Sequence, residues 1–209
     1  MSERDQSDQP NLYLVTPTRF EIDAFAPRLA ALLDAEPIAC LRLALAVEDE
    51  DDLARAADAL REIAHARDVP LVLSNHAGMV ERLGLDGVHL TDGSRSVRAT
   101  RKALGADAIV GAFCAASRHD GMTAGETGAD YVAFGPLGET KLMEGPRAEH
   151  DLFAWWSQMI EVPVVAEGAL DVSLVEAFAP VTDFFAIGPE IWREDDAVAA
   201  LRALIAPIR

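Results

Sequence analysis

Short apolar runs rich in Val, Ile, Leu and Phe recur along the 209-residue chain and alternate with longer stretches of helical period. That alternation is the pattern expected of βα units around a parallel sheet. It predicts eight strands, at 12–16, 39–45, 71–74, 87–90, 109–113, 131–134, 164–167 and 184–187, with helices between them. In the second helix Leu53, Ala56, Ala57, Leu60, Ile63 and Ala64 fall on one stripe, and Arg55, Asp58, Arg61 and Glu62 fall largely on the other. In the last helix Val198, Leu201, Leu204 and Ile205 form the face to be buried, while Asp195 and Asp196 stand near its N-terminus, where the helix dipole favours negative charge. Asp-Gly, Gly-Ala-Asp and Val-Pro pieces punctuate the chain before strands four, five, six and seven as joints between units, not as domain linkers.

Such an alternation closes into a barrel or spreads into an open doubly wound sheet, and no Gly-x-Gly-x-x-Gly fingerprint follows the first strand. The prediction is therefore an α/β protein with a single-domain (β/α)8 TIM barrel over residues 11–209, preceded by a flexible tail over residues 1–10. No internal repeat is sharper than the βα unit itself, which argues against a solenoid.

Charge changes what the barrel is expected to meet. With 18 Lys and Arg against 35 Asp and Glu, the net charge is -17, a surface that repels phosphate backbones and anionic headgroups. No nucleic-acid or membrane partner is expected. Apolar runs are too short for a membrane span, and residues 1–9 lack the basic-then-apolar pattern of a signal peptide. Cys40 and Cys114 lie in or next to different predicted strands and suggest neither a disulfide framework nor a zinc site, so a cytoplasmic location is expected.

Active sites of (β/α)8 barrels are built where the strands end. That rule selects Thr16, Arg42, Ser74, Asn75, His76, Asp92, Cys114, the loop 135–141, Glu167, Gly168, Gly188 and Glu190. Arg42 reads either as an anion ligand or as half of a structural pair with Glu167 or Glu190, because a charge at an inner strand position is costly unless paired. His76 can act as a general acid or base near neutrality, and with Glu167 it forms a candidate acid/base pair. His89 reads as a histidine of the core or one that supports a site residue, Cys114 as a buried thiol rather than a nucleophile, for want of an adjacent base, and Cys40 as core. Trp155 and Trp156 are expected to pack on the outside of the barrel or at a subunit contact, and Trp192 to cover its mouth.

Several strings resemble the thiamine phosphate synthase family in order and at nearly the right spacing. Leu12-Tyr13-Leu14-Val15-Thr16 resembles that family's opening strand, and Asp86-Gly87-Val88-His89-Leu90 its fourth. Residues 128–136, Gly-Ala-Asp-Tyr-Val-Ala-Phe-Gly-Pro, resemble the sixth, and Pro163-Val164-Val165-Ala166 the seventh. The resemblance implies a transferase of thiamine biosynthesis that joins a hydroxymethylpyrimidine pyrophosphate to a thiazole phosphate and releases pyrophosphate. Charge builds on that leaving group, so cations are needed. By resemblance Arg42 and Lys141 contact the pyrophosphate and Thr140 belongs to the same Thr-Lys loop closure. Backbone amides near Gly168 and Gly188 take the thiazole phosphate, Mg2+ is the implied cofactor, and a homodimer the implied assembly.

Departures from the family fall on the same chemistry. Ala44 stands where a Lys is usual, Ser74-Asn75-His76 where Asn-Asp would bring a magnesium ligand, and Ser94 where a second such Asp aligns, with Asp92 two residues away. Asn75 and Asp92 are what remains of a metal site, and Mg2+ prefers carboxylate and water oxygens. Glu167 sits where a neutral phosphate-binding turn is expected, so its carboxylate opposes an anion, and Pro189 lacks an amide hydrogen. The related thiazole tautomerase branch uses a His just past strand five, where this chain has Cys114-Ala115-Ala116. The alternative is thus a non-catalytic or repurposed relative that binds a small phosphate or thiazole-like ligand.

Overall fold

The computed structural model describes residues 9–46, 49–140, 143 and 145–209. Eight parallel strands close in sequence order into a barrel, the last pairing with the first. They are β1 (Asn11–Val15), β2 (Cys40–Leu43), β3 (Leu71–Ser74), β4 (Gly87–Leu90), β5 (Ile109–Phe113), β6 (Tyr131–Phe134), β7 (Val164–Glu167) and β8 (Phe184–Ile187). The helices are α1 (Ile22–Ala35), α2 (Glu50–His65), α3 (Ala77–Val80), α4 (Val97–Leu104), α5 (Arg118–Glu126), α6 (His150–Met159), α7 (Val172–Phe178), α8 (Pro189–Trp192) and α9 (Ala197–Leu204). The eight strands stand within two residues of their predicted bounds. The tail expected over residues 1–10 lies outside the described residues apart from Gln9 and Pro10.

Because side chains alternate along a strand, each strand serves two cores. Outward residues such as Leu12, Leu14, Leu41 and Leu43 join Leu53, Ala57 and Leu60 of α2 and their counterparts in the other helices. Inward residues such as Tyr13, Val15, Cys40, Val72, Tyr131, Ala133, Val165 and Ala186 fill the barrel. The stripe on α2 is buried as expected except that Ile63 is only partly covered; on α9 the same holds for Val198. Asp196 caps α9 by accepting from the Ala199 amide at 2.9 Å, and Asp49 caps α2 from Asp51 at 2.8 Å. Trp156 is buried on the outside of the barrel, its ring 5.0 Å from that of Phe134 and its Nε1 donating to the Val162 carbonyl at 2.7 Å.

Two of the punctuating aspartates, Asp86 and Asp130, share a role with Asp183 at the N-terminal end of the barrel. Asp86, Asp130 and Asp183 stand just before β4, β6 and β8, and each accepts from the amide of a residue opening the preceding strand: Leu71, Val110 and Val164, each at 2.7 Å. These amides would otherwise lack a ladder partner at the start of the sheet. Asp86 also meets His65 at 2.8 Å, and Asp130 forms an ion pair with Arg101. Among the described residues no helix is long and apolar enough to cross a membrane.

Candidate active site at the C-terminal mouth of the barrel

Inside the barrel the inward positions of five strands bring a polar group together. Tyr13 and Tyr131 hydroxyls lie 2.7 Å apart, and His89 Nδ1 lies 2.9 Å from the Tyr131 hydroxyl. Arg42 sits above them, its guanidinium 5.7 Å from the centre of the Tyr13 ring. Its two terminal nitrogens face the two carboxylate oxygens of Glu167 on β7, Nη1 donating to Oε2 at 3.1 Å and Nη2 to Oε1. Burial works against a charge on Arg42, but the carboxylate of Glu167 more than offsets it and holds the guanidinium above its ordinary pKa. Burial, and then the charge of Arg42, pushes His89 well below its ordinary value, so this histidine is neutral. Burial likewise raises both tyrosines.

Of this group Arg42 and Glu167 form the floor of a cavity of about 970 Å³ at the C-terminal ends of β1, β2, β7 and β8. Thr16, Arg42, Ala44, Thr140, Glu167, Gly168, Gly188 and Glu190 line it, with Arg19, Arg28 and Arg193 at the rim. Trp192 forms one wall, as expected of a residue covering the mouth; its Nε1 donates to the Val15 carbonyl at 2.7 Å and its ring meets Phe25 edge-on at 4.8 Å. Close backbone approach requires glycine at two places. Gly135 has no room for a Cβ against the Glu167 carbonyl, and Gly168, at φ 94°, would drive one into Met143 and Pro136.

Glu190 ties the two loops of the β7/β8 corner. Its Oε2 accepts from the Gly188 amide at 2.9 Å and its Oε1 from the Leu170 amide at 3.1 Å. The backbone corner assigned to a phosphate by resemblance therefore already holds a carboxylate. Of the two partners the sequence offered Arg42, Glu167 is the one it takes.

The β3–β4 side of the mouth is different. Asn75, His76 and Asp92 are exposed and do not line the cavity. Asn75 Oδ1 accepts from the Thr91 amide at 3.1 Å and its hydroxyl at 3.0 Å, and Asp92 accepts from Ser96 at 2.5 Å. Ser94 donates to Asp120 at 3.3 Å. Among the described residues no three His, Cys, Asp or Glu side chains converge as metal ligands. A lone exposed carboxylate beside an amide oxygen that already accepts two bonds does not fit the two-carboxylate Mg2+ site implied by resemblance. His76 and Glu167 are not brought together either, since Glu167 lines the cavity and His76 does not. Cys114 and Cys40 are buried thiols; burial pushes Cys114 up to about 12. His119 lies exposed on α5. Lys141 lies outside the described residues.

Sequence reasoning missed the Tyr13–Tyr131–His89 group, whose signal was three aromatic rings at inward strand positions, and the bonds of Glu190. It also passed over Arg19 and Arg28, which the loop after β1 and the helix that follows bring to the rim.

The chain matches the family model for thiamine monophosphate synthase over residues 12–186. It belongs to that family. A thiamine-phosphate synthase of Rhodospirillum centenum is 43% identical over 194 residues, covering 90% of this chain and 92% of the relative. One of Hyphomonas neptunium is 38% identical over 203 residues, covering 92% and 90%. The thiamine phosphate pyrophosphorylase structure from Pyrococcus furiosus superposes with a TM-score of 0.81 at 17% identity, covering 97% of this chain and 96% of that one. The barrel of a 3-hexulose-6-phosphate synthase superposes with a TM-score of 0.71 at 16% identity, a likeness of fold alone. Within the thiamine monophosphate synthase family, this chain carries its cavity on the β1, β2, β7 and β8 side and an acid at the end of β7.

Proposed function

We propose that this protein is a thiamine phosphate synthase, joining hydroxymethylpyrimidine pyrophosphate to thiazole phosphate with release of pyrophosphate. The observation that carries the reading is the buried guanidinium of Arg42 at the floor of a mouth cavity large enough for small phosphorylated substrates, in a chain of this family. Arg42 faces the pyrophosphate and offsets the charge that grows on it as it leaves. Lys141, the next residue in sequence after the cavity-lining Thr140, supplies a second cation. Gly168 and Gly188 border the place of the thiazole phosphate, which reaches the Gly188 amide when Glu190 turns away. His76, Asn75 and Asp92 stay outside this scheme unless the β3–β4 rim closes over the substrates. A cytoplasmic homodimer acting on small phosphorylated molecules completes the reading.

A second reading is favoured by the two mouth carboxylates: a relative that binds a phosphate or thiazole-like ligand without joining the two substrates. Calorimetric titration with hydroxymethylpyrimidine pyrophosphate, with and without Mg2+, followed by an assay for thiamine phosphate, separates them. Product formation supports the synthase. Binding without product supports the second reading, and no binding in either condition overturns the synthase and leaves the second reading standing.

A further inference from the structure

The floor of the cavity holds two charged side chains that are more than nine-tenths buried, Arg42 at 6% exposure and Glu167 at 7%. Their bidentate pairing spends both terminal nitrogens of the guanidinium on the carboxylate, while Arg42 Nε is buried with no hydrogen-bond partner among the described residues. The arginine fork receives a carboxylate and a pair of phosphoryl oxygens in the same planar geometry. The carboxylate of Glu167 therefore stands where a phosphoryl group would dock on Arg42. An arginine buried in a barrel needs some counter-ion at all times, because an uncompensated charge there is strongly destabilising. Glu167 is the last residue of β7 and lines the cavity, so its carboxylate, once released, has the cavity to turn into. The same device recurs one strand along, where Glu190 holds the Gly188 and Leu170 amides.

We propose that Glu167 is an internal competitor for the anion site: an incoming pyrophosphate group binds by exchanging with the Glu167 carboxylate on Arg42. This rests on the reading that Arg42 receives pyrophosphate, and it makes Glu167 a residue that sets affinity and specificity. With a carboxylate already in place, a weakly charged anion cannot displace it, whereas a polyanion gains more from Arg42 than the carboxylate loses. The site is thus closed to single carboxylates and sulfate-like ions and open to pyrophosphate esters, in a protein whose overall charge already repels anions.

The test is calorimetric titration of inorganic pyrophosphate into the wild type, Glu167→Gln, Glu167→Asp, Arg42→Met and the double variant Arg42→Met/Glu167→Gln. Glu167→Gln is expected to bind about tenfold tighter or better than wild type, since a charge-assisted bond no longer has to be given up. Glu167→Asp, which keeps the charge but shortens its reach, falls between. Arg42→Met loses binding, and the double variant does not regain it. Should Glu167→Gln be unfolded alone, its refolding on addition of pyrophosphate and the tightening in Glu167→Asp carry the same result. If both Glu167 variants bind no tighter than wild type while Arg42→Met loses binding, the competition is overturned and Arg42 remains the receptor. If Arg42→Met binds pyrophosphate like the wild type, the assignment of Arg42 falls and the competition with it.

Discussion

At the N-terminal end of the barrel Asp86, Asp130 and Asp183 each hold the amide of a residue opening the strand before them, and at the mouth Glu190 holds two loop amides while Glu167 holds Arg42. The bonds are of one kind, a carboxylate receiving N–H groups, and they differ in surroundings. Asp130 and Asp183 are exposed and sit beneath a filled barrel; Glu167 is buried and lines an open cavity. A carboxylate at the closed end has only the strand to satisfy. One at the mouth stands where a ligand arrives, so the same interaction becomes a term in binding.

Removing Arg42 is the hardest blow to this contrast. Arg42→Met leaves Glu167 as an unpaired buried acid and is expected to cost about 3–5 kcal/mol in chemical denaturation. A loss under about 1 kcal/mol would mean that the pair is dispensable to the fold. Glu190→Ala comes next. It frees the Gly188 and Leu170 amides, should cost about 1–3 kcal/mol, and should change KM for thiazole phosphate. An unaltered KM would place Glu190 with the structural acids of the closed end.

His89 lies between the two ends and gives a pH signature. Its folded pKa is depressed by burial and Arg42, so below the unfolded value of about 6.5 the unfolded chain takes a proton that the folded one refuses. Its neutral burial costs nothing above that pH, and stability declines as pH falls below it, by up to about 1.4 kcal/mol per unit. Comparing denaturation midpoints of wild type and His89→Gln between pH 7 and 5 checks this; equal slopes would remove His89 as the cause. Asp183→Ala should be mildest, about 1 kcal/mol with KM values unchanged. A change in substrate affinity there would blur the distinction between the ends.

Much of this arrangement is legible along the chain. Runs such as Tyr131–Phe134 and Val164–Glu167 are short, apolar and bounded by turn residues, so their strand character is local. The rule that sites form at strand ends then selected Arg42, Glu167, Gly168, Gly188 and Glu190, all of which line the cavity. It selected Asn75, His76 and Asp92 with equal weight, and these do not line it, because the rule ranks all eight strand ends alike while the cavity opens beside only four. The Asp-Gly and Gly-Ala-Asp joints were visible as punctuation, but the amides they serve belong to the preceding strand, a contact across about twenty residues or less that no local pattern records.

Period and punctuation by themselves determined the eight βα units and the faces of α2 and α9, since propensity, side-chain alternation and caps act over a few residues; the family was legible only through the resemblance of particular strings such as residues 128–136. Closure of the barrel decided the rest. Arg42 and Glu167 are 125 positions apart, as are few pairs that local chemistry can foresee, and only the meeting of β2 and β7 across the barrel interior turned two separate charges into one buried pair. Burial there removes water as an alternative partner, which is why a choice left open in the sequence, Glu167 or Glu190 for Arg42, has a single answer in three dimensions.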